Sequence, residues 1–120
     1  MKINKWSWMI LSLWFVSICI VTVYSLIPTM EFPVDFWNAD KLYHCASYIW
    51  LAVLPMTGFA IRRTAMMAAL SMIILGVLLE IGQYYIPGRL FSFLDMISNT
   101  LGVILGIILG NYLRKKTFSH

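Results

Sequence analysis

The stretch from Leu79 to Gly106, LEIGQYYIPGRLFSFLDMISNTLGVILG, decides how this chain is read. It sets Glu80, Gln83, Arg89, Asp95 and Asn99 at the facing ends of two otherwise apolar segments separated by Pro87-Gly88. Polar side chains are expensive in hydrocarbon, so those that persist there pair with one another or serve a purpose. In the second segment Asp95, Asn99, Gly102, Gly106 and Gly110 recur at intervals of four, three, four and four, which places them in one stripe on a helix. The three glycines form a double small-xxx-small pattern, a signature of close helix approach. Asp95 and Asn99 continue that stripe and are expected to face protein rather than lipid.

Outward from this stretch, the whole chain has the composition of an integral membrane protein. Of its 120 residues, 61% are hydrophobic and 12% charged, whereas soluble domains carry about 25% charged residues. Four apolar runs are each long enough for a hydrocarbon core that takes about 17 to 25 helical residues. The expected fold is therefore all-α, with transmembrane helices at approximately 6–27, 41–61, 64–86 and 93–113 in a small antiparallel bundle that forms one domain over residues 1–120. Trp6, Trp8 and Tyr24 flank the first run as interfacial anchors do. The basic start of that run raises a cleaved signal peptide as an alternative. A run of 22 apolar residues exceeds the usual signal core of about 7 to 15, which favours a retained anchor.

Charge distribution orients the four spans. Nine Lys and Arg stand against five Asp and Glu. Lys2, Lys5, Arg62, Arg63, Arg114, Lys115 and Lys116 all fall on one side of a four-span topology, which the positive-inside rule makes cytoplasmic, with both termini. Glu31, Asp35, Asp40, Glu80 and Asp95 belong to the other half, with only Lys41 and Arg89 among the basic residues. The excess of cations thus reads as a topology signal with some attraction for anionic lipid, and nucleic acid is not an expected partner. Cys19 and Cys45 fall at different depths of different spans, so they are expected to be unpaired, small and buried.

Taken in order, residues 28–40, PTMEFPVDFWNAD, form an outer loop whose aromatic residues suit the interface or a lid over the bundle. The second span follows, with Asp40, His44, Ser47, Leu51, Leu54 and Gly58 on one face and Pro55 expected to kink it. Arg62-Arg63 is expected to form a tight turn, so the second and third spans are antiparallel neighbours. In the third span Ala69, Met72, Gly76, Glu80 and Gln83 share a face. Glu80 lies six residues below Ile86, roughly 9 Å of helix rise. At that depth its carboxyl must be paired or carry its proton.

The segments D-K-L-x-H-x-x-x-Y-x-x-L, here Asp40 to Leu51, and L-x-E-x-x-Q-x-x-x-P-x-R-x-x-x-x-x-D-x-x-x-N-x-x-G, here Leu78 to Gly102, resemble the VanZ-like family of small membrane proteins. The resemblance implies a multi-pass protein of the bacterial cell membrane and an envelope role. Prototype members are associated with resistance to glycopeptide antibiotics, notably teicoplanin. It implies Asp40, Lys41, His44, Glu80, Gln83, Arg89, Asp95 and Asn99 as the site residues. Cys45 stands where a phenylalanine often accompanies the histidine, and Ser92 changes the loop after Arg89.

Several of these residues also have ordinary structural readings. Asp40 is a candidate N-cap of the second span, Ser92-x-x-Asp95 fits a capping box, and Arg89 is a candidate partner for Glu80 or Asp95. Gln83 and Asn99 suit interhelical hydrogen bonds. Beside these stands a ligand site. The second and fourth spans both begin at the outer face, where their N-termini, Lys41, Arg89 and His44 would attract a phosphate or carboxylate. No cofactor fingerprint, nucleophile motif or metal-binding spacing accompanies them.

Three functions follow from this reading. The first is binding or handling of an anionic, lipid-linked envelope component. The second is an intramembrane enzyme acting on a lipid phosphate or cell-wall precursor, with His44, Glu80 and Asp95 as candidate catalytic groups. The third is a structural or partner subunit, or a homo-oligomer joined through Gly102, Gly106 and Gly110.

Overall fold

The computed structural model describes residues 5–26, 39–86 and 93–118, with the side chains of residues 39–41 and 117–118 outside the description. The described chain is helical: α1 (Lys5–Leu26), α2 (Ala39–Gly58), α3 (Arg62–Tyr84) and α4 (Phe93–Phe118). Three of them, α1, α3 and α4, are long and apolar enough to cross a membrane. Their outward faces carry large apolar side chains, among them Phe15, Ile20, Met67, Ile74, Ile97 and Ile108, a continuous surface of the kind that lipid or a partner covers.

Helix α2 is different because it lies inside the other three. Leu51, Ala52 and Met56 are fully buried, and with Tyr48 they pack against Ala65, Ala69 and Met72 of α3 and Val103 of α4. From α1, Leu11 and Ile10 lie against Gly58, and Ser17 accepts a hydrogen bond from Trp50 Nε1 at 3.0 Å. A helix covered by protein on most sides can carry His44, Ser47 and Thr57 among its apolar residues, and these lower its hydropathy relative to its neighbours.

Pairwise contacts fix the directions. In α2 and α4, Cys45 meets Gly102, Ile49 meets Gly106 and Met56 meets Gly110, so these two helices run parallel. Helix α1 runs against α2, from Leu11 beside Gly58 to Ser17 beside Trp50. Helices α1 and α3 end together, where Gln83 Nε2 donates to Ser25 O at 3.0 Å. Successive helices therefore alternate in direction, and α2 pairs most closely with α4, which is not its neighbour in sequence.

The glycine stripe explains that pairing. A Cβ on Gly106 would stand 2.5 Å from Ile49 O and 2.7 Å from Ala52 Cβ. One on Gly110 would stand 2.6 Å from Met56 Cβ, and one on Gly102 would collide with Cys45 O. Only hydrogen at these positions lets the α4 backbone reach α2. The close helix approach expected of the glycine stripe is made within the chain, with Gly102, Gly106 and Gly110 buried against α2.

Helix boundaries depart from expectation in ways that local chemistry explains. The turn expected at Arg62-Arg63 lies one step earlier, at residues 59–61, and both arginines begin α3. Ile61 takes the N-cap position in extended conformation with no side-chain cap, and Ala65 N donates to Ile61 O at 3.0 Å. Helix α2 continues through Pro55 and stops at Gly58, after a last bond from Phe59 N to Pro55 O at 3.1 Å. Helix α3 closes by two tightened turns, Tyr85 N to Gly82 O and Ile86 N to Gln83 O, each 3.1 Å. Helix α4 runs beyond the expected end at 113 to Phe118, because Arg114, Lys115 and Lys116 are good helix formers and favour a C-terminal turn. Both cysteines are free, but neither is buried as expected: Cys19 is exposed on α1 and Cys45 half-buried on α2. The loop read as a lid and the Pro87-to-Ser92 connection lie outside the described residues.

Candidate functional site at one end of the bundle

The polar cluster forms where α2 and α4 begin and where α1 and α3 end. On α3, Gly76, Glu80 and Gln83 fall on the buried face together with Ala69 and Met72, as their spacing requires. Glu80 is 1% exposed and Gln83 3%. Gln83 uses its amide to hold the last turn of α1 through Ser25 O, which is the interhelical role its position suggested. On α4, Asp95 and Asn99 are buried on the glycine stripe, with Asp95 in the first turn, where a carboxylate suits the positive end of the helix dipole.

His44 of α2 joins them. Its Nδ1 stands 2.9 Å from Asn99 Oδ1, within hydrogen-bond distance, and its Nε2 stands 3.8 Å from Asp95 Oδ2. The imidazole therefore lies between two residues that sit one helical turn apart on α4. Gly76 makes room for this arrangement. A Cβ there would come within 3.2 Å of both Asn99 Cβ and Asn99 Nδ2, and within 3.3 Å of Tyr48 Cε1. Helices α2, α3 and α4 thus converge at Tyr48, Gly76 and Asn99, directly beneath the His44–Asp95 pair. Glu80, one turn beyond Gly76, is near enough to the Tyr48 phenol for the two to act on each other electrostatically.

Of the eight residues expected at the site, His44, Glu80, Gln83, Asp95 and Asn99 are placed at this end of the bundle, and the first, fourth and fifth touch. Asp40 and Lys41 lie in the first turn of α2, but their side chains are outside the described residues, as is the whole of Arg89. The capping box involving Ser92 is outside them too. Among the described residues no three of His, Cys, Asp and Glu converge as a metal-binding group. What the described cluster offers chemically is an imidazole and two buried carboxylates, flanked by amides and a phenol, beside two helix N-termini.

Two participants were missed by sequence reasoning. Tyr48 carries no charge and stands out in the sequence only as one position of a motif, although its spacing of four from His44 puts it one turn below on the same face. Arg114 was read as a topology charge, yet it is 7% exposed and reaches across to the end of α2. It donates to Met56 O at 3.0 Å and to Phe59 O and Ala60 O. Carbonyls in the last turn of a helix have no intrahelical partner, and a guanidinium satisfies several of them at the negative end of the dipole. The signal was present, since Arg114 follows Gly110 by four residues and extends the buried stripe. Nearby, Arg62 Nε donates to Asn111 Oδ1 at 3.3 Å.

A helical bundle with apolar outer faces, a buried polar cluster at one end and three helices long and apolar enough to cross a bilayer defines a small helical type of membrane protein. The chain belongs to the VanZ/LLP1 family, whose model matches residues 4–114, nearly its full length. No curated protein and no solved structure gives a match.

Proposed function

We propose that the protein crosses the bacterial cell membrane four times, with both termini cytoplasmic, and binds an anionic lipid-linked envelope component at the outer face. Helix α2, with 20 residues, is about 30 Å long, enough to span a hydrocarbon core. The end that carries Lys5, Arg62, Arg63, Lys115 and Lys116 is the cytoplasmic one by the positive-inside rule. The acidic and histidine-bearing end then faces outward.

The observation that carries this reading is the convergence of His44, Asp95 and Asn99 from two helices, with buried Glu80 and Gln83 from a third, at one end of a bundle whose middle is a mainly apolar core. Maintaining such a cluster costs desolvation that a purely apolar contact would avoid. The N-termini of α2 and α4 lie together at this end and favour an anionic group. Lys41 and Arg89 supply the cations for its phosphate, and the carboxylates orient them. In cells such handling of a lipid-linked precursor would connect the protein to glycopeptide resistance.

Native mass spectrometry of the protein released from its own membrane tests the reading, with wild type compared with Glu80→Ala and with undecaprenyl phosphate and phosphatidylglycerol added as probes. Wild type is expected to retain a lipid phosphate that the variant loses. Equal retention by both proteins overturns the site. The apposition of His44 and Asp95 favours a second reading, an intramembrane enzyme with the imidazole as general base. It differs in requiring a product in the same spectra.

A further inference from the structure

We propose that Asn99 is a positioning residue that keeps Nδ1 of His44 protonated, so that Nε2 is the nitrogen through which the imidazole exchanges a proton with Asp95 or with a bound ligand. The inference rests on reading this cluster as the functional site, but the arrangement that carries it is independent of any ligand. His44 makes two contacts through opposite ring nitrogens: Nδ1 with Asn99 Oδ1 at 2.9 Å and Nε2 with Asp95 Oδ2 at 3.8 Å. A carbonyl oxygen only accepts, so the proton in the shorter contact belongs to Nδ1. The amide nitrogen of Asn99 is turned to the other side, against Gly76 of α3.

With Nδ1 committed, a neutral imidazole presents the Nε2 lone pair to Asp95. One proton then serves the pair, either on Nε2 facing a carboxylate or on Asp95 facing a bare nitrogen, and it passes between them by way of an intervening oxygen. The separation of 3.8 Å is longer than a hydrogen bond. It leaves space for a ligand oxygen at about 2.8 Å from each atom, accepting from one and donating to the other. A phosphate carrying a proton, or a sugar hydroxyl, has that capacity. Other titratable groups described on this side include Glu80 of α3, one turn beyond Gly76, Tyr48 of α2, one turn inward from the ring, Tyr43 and Cys45 beside His44 in sequence, and Tyr24, Tyr84 and Tyr85 at the ends of α1 and α3. Gly76 contributes by admitting the Asn99 amide, since a side chain there would press on Asn99 Cβ and Nδ2 at 3.2 Å.

The chain has two histidines, His44 and His120, so His120→Gln leaves one imidazole for observation. Nitrogen-15 NMR of histidine-labelled protein in lipid nanodiscs, followed from acid to alkaline pH, reports each ring nitrogen separately. The neutral ring is expected to show Nδ1 in the protonated range and Nε2 in the bare range, the reverse of the tautomer that free histidine side chains favour in water. The opposite assignment overturns the proposal, as does a ring that stays doubly protonated at every pH. Asn99→Leu is expected to invert the two resonances, and an unchanged spectrum removes Asn99 from the role. If that variant does not fold, Asn99→Asp retains the acceptor and is expected to keep the Nδ1 proton and shift its resonance; an unmoved Nδ1 signal is equally fatal. Loss of lipid binding by Glu80→Ala is read separately, so failure here and failure of the ligand site are distinct results.

Discussion

The two ends of the α2–α4 pair solve the same problem with different chemistry. At the basic end Arg114 crosses to α2 and donates to the carbonyls of Met56, Phe59 and Ala60. At the opposite end His44 crosses to α4 and meets Asn99 and Asp95. Main-chain carbonyls do not titrate or swing away, so the Arg114 clamp is fixed in charge and geometry. Both partners of the His44 contact are side chains, and two of the three groups change charge with a proton. A buried polar contact made to backbone fastens a helix, whereas one made among ionisable side chains leaves chemistry available.

That contrast can be broken in order of severity. Gly106→Leu removes the seam on which both ends depend, since even a Cβ meets Ile49 O at 2.5 Å. Overpacking typically costs about 1–3 kcal/mol and occasionally more, and with backbone as the obstacle the expected outcome in detergent is loss of the folded species by size-exclusion chromatography and thermal melting. Arg114→Ala attacks the fixed end alone. It leaves carbonyls without their donor at a cost of about 2–3 kcal/mol, so the melting temperature falls while lipid retention at permissive temperature persists. Glu80→Ala should do the reverse, and a variant at either end that impaired both properties equally would erase the distinction. Lys116→Ala sharpens the comparison from the weak side. Its ammonium lies 4.8 Å from the Tyr112 ring centroid, but both side chains are exposed, and exposed pairs contribute little. No measurable change in melting is expected.

Much of this was legible in the chain because helical periodicity is local. The stripe from Asp95 to Gly110 and the face from Ala69 to Gln83 are both buried, as their spacing required. Pairing is a different kind of information. The glycines announce close approach but do not say which helix approaches, and their partner, α2, is identified only by the structure. Composition also hid the role of α2, where His44, Ser47 and Thr57 lower the hydropathy of the helix with the most covered core. Arg114 was obscured by its neighbours, since a cation beside Lys115 and Lys116 reads as part of a charged tail until its register with Gly110 is considered.

The parallel pairing of α2 with α4 has a consequence for biogenesis. Synthesis proceeds from the N-terminus, so α2 leaves the ribosome well before the helix whose glycines receive it, and α3 intervenes. Throughout that interval the ring of His44 has neither Asn99 nor Asp95 to meet, and the last carbonyls of α2 have no guanidinium. A nascent chain that stops short of Arg114 therefore lacks the guanidinium contact, and both ends of α2 gain these partners only once α4 has been made.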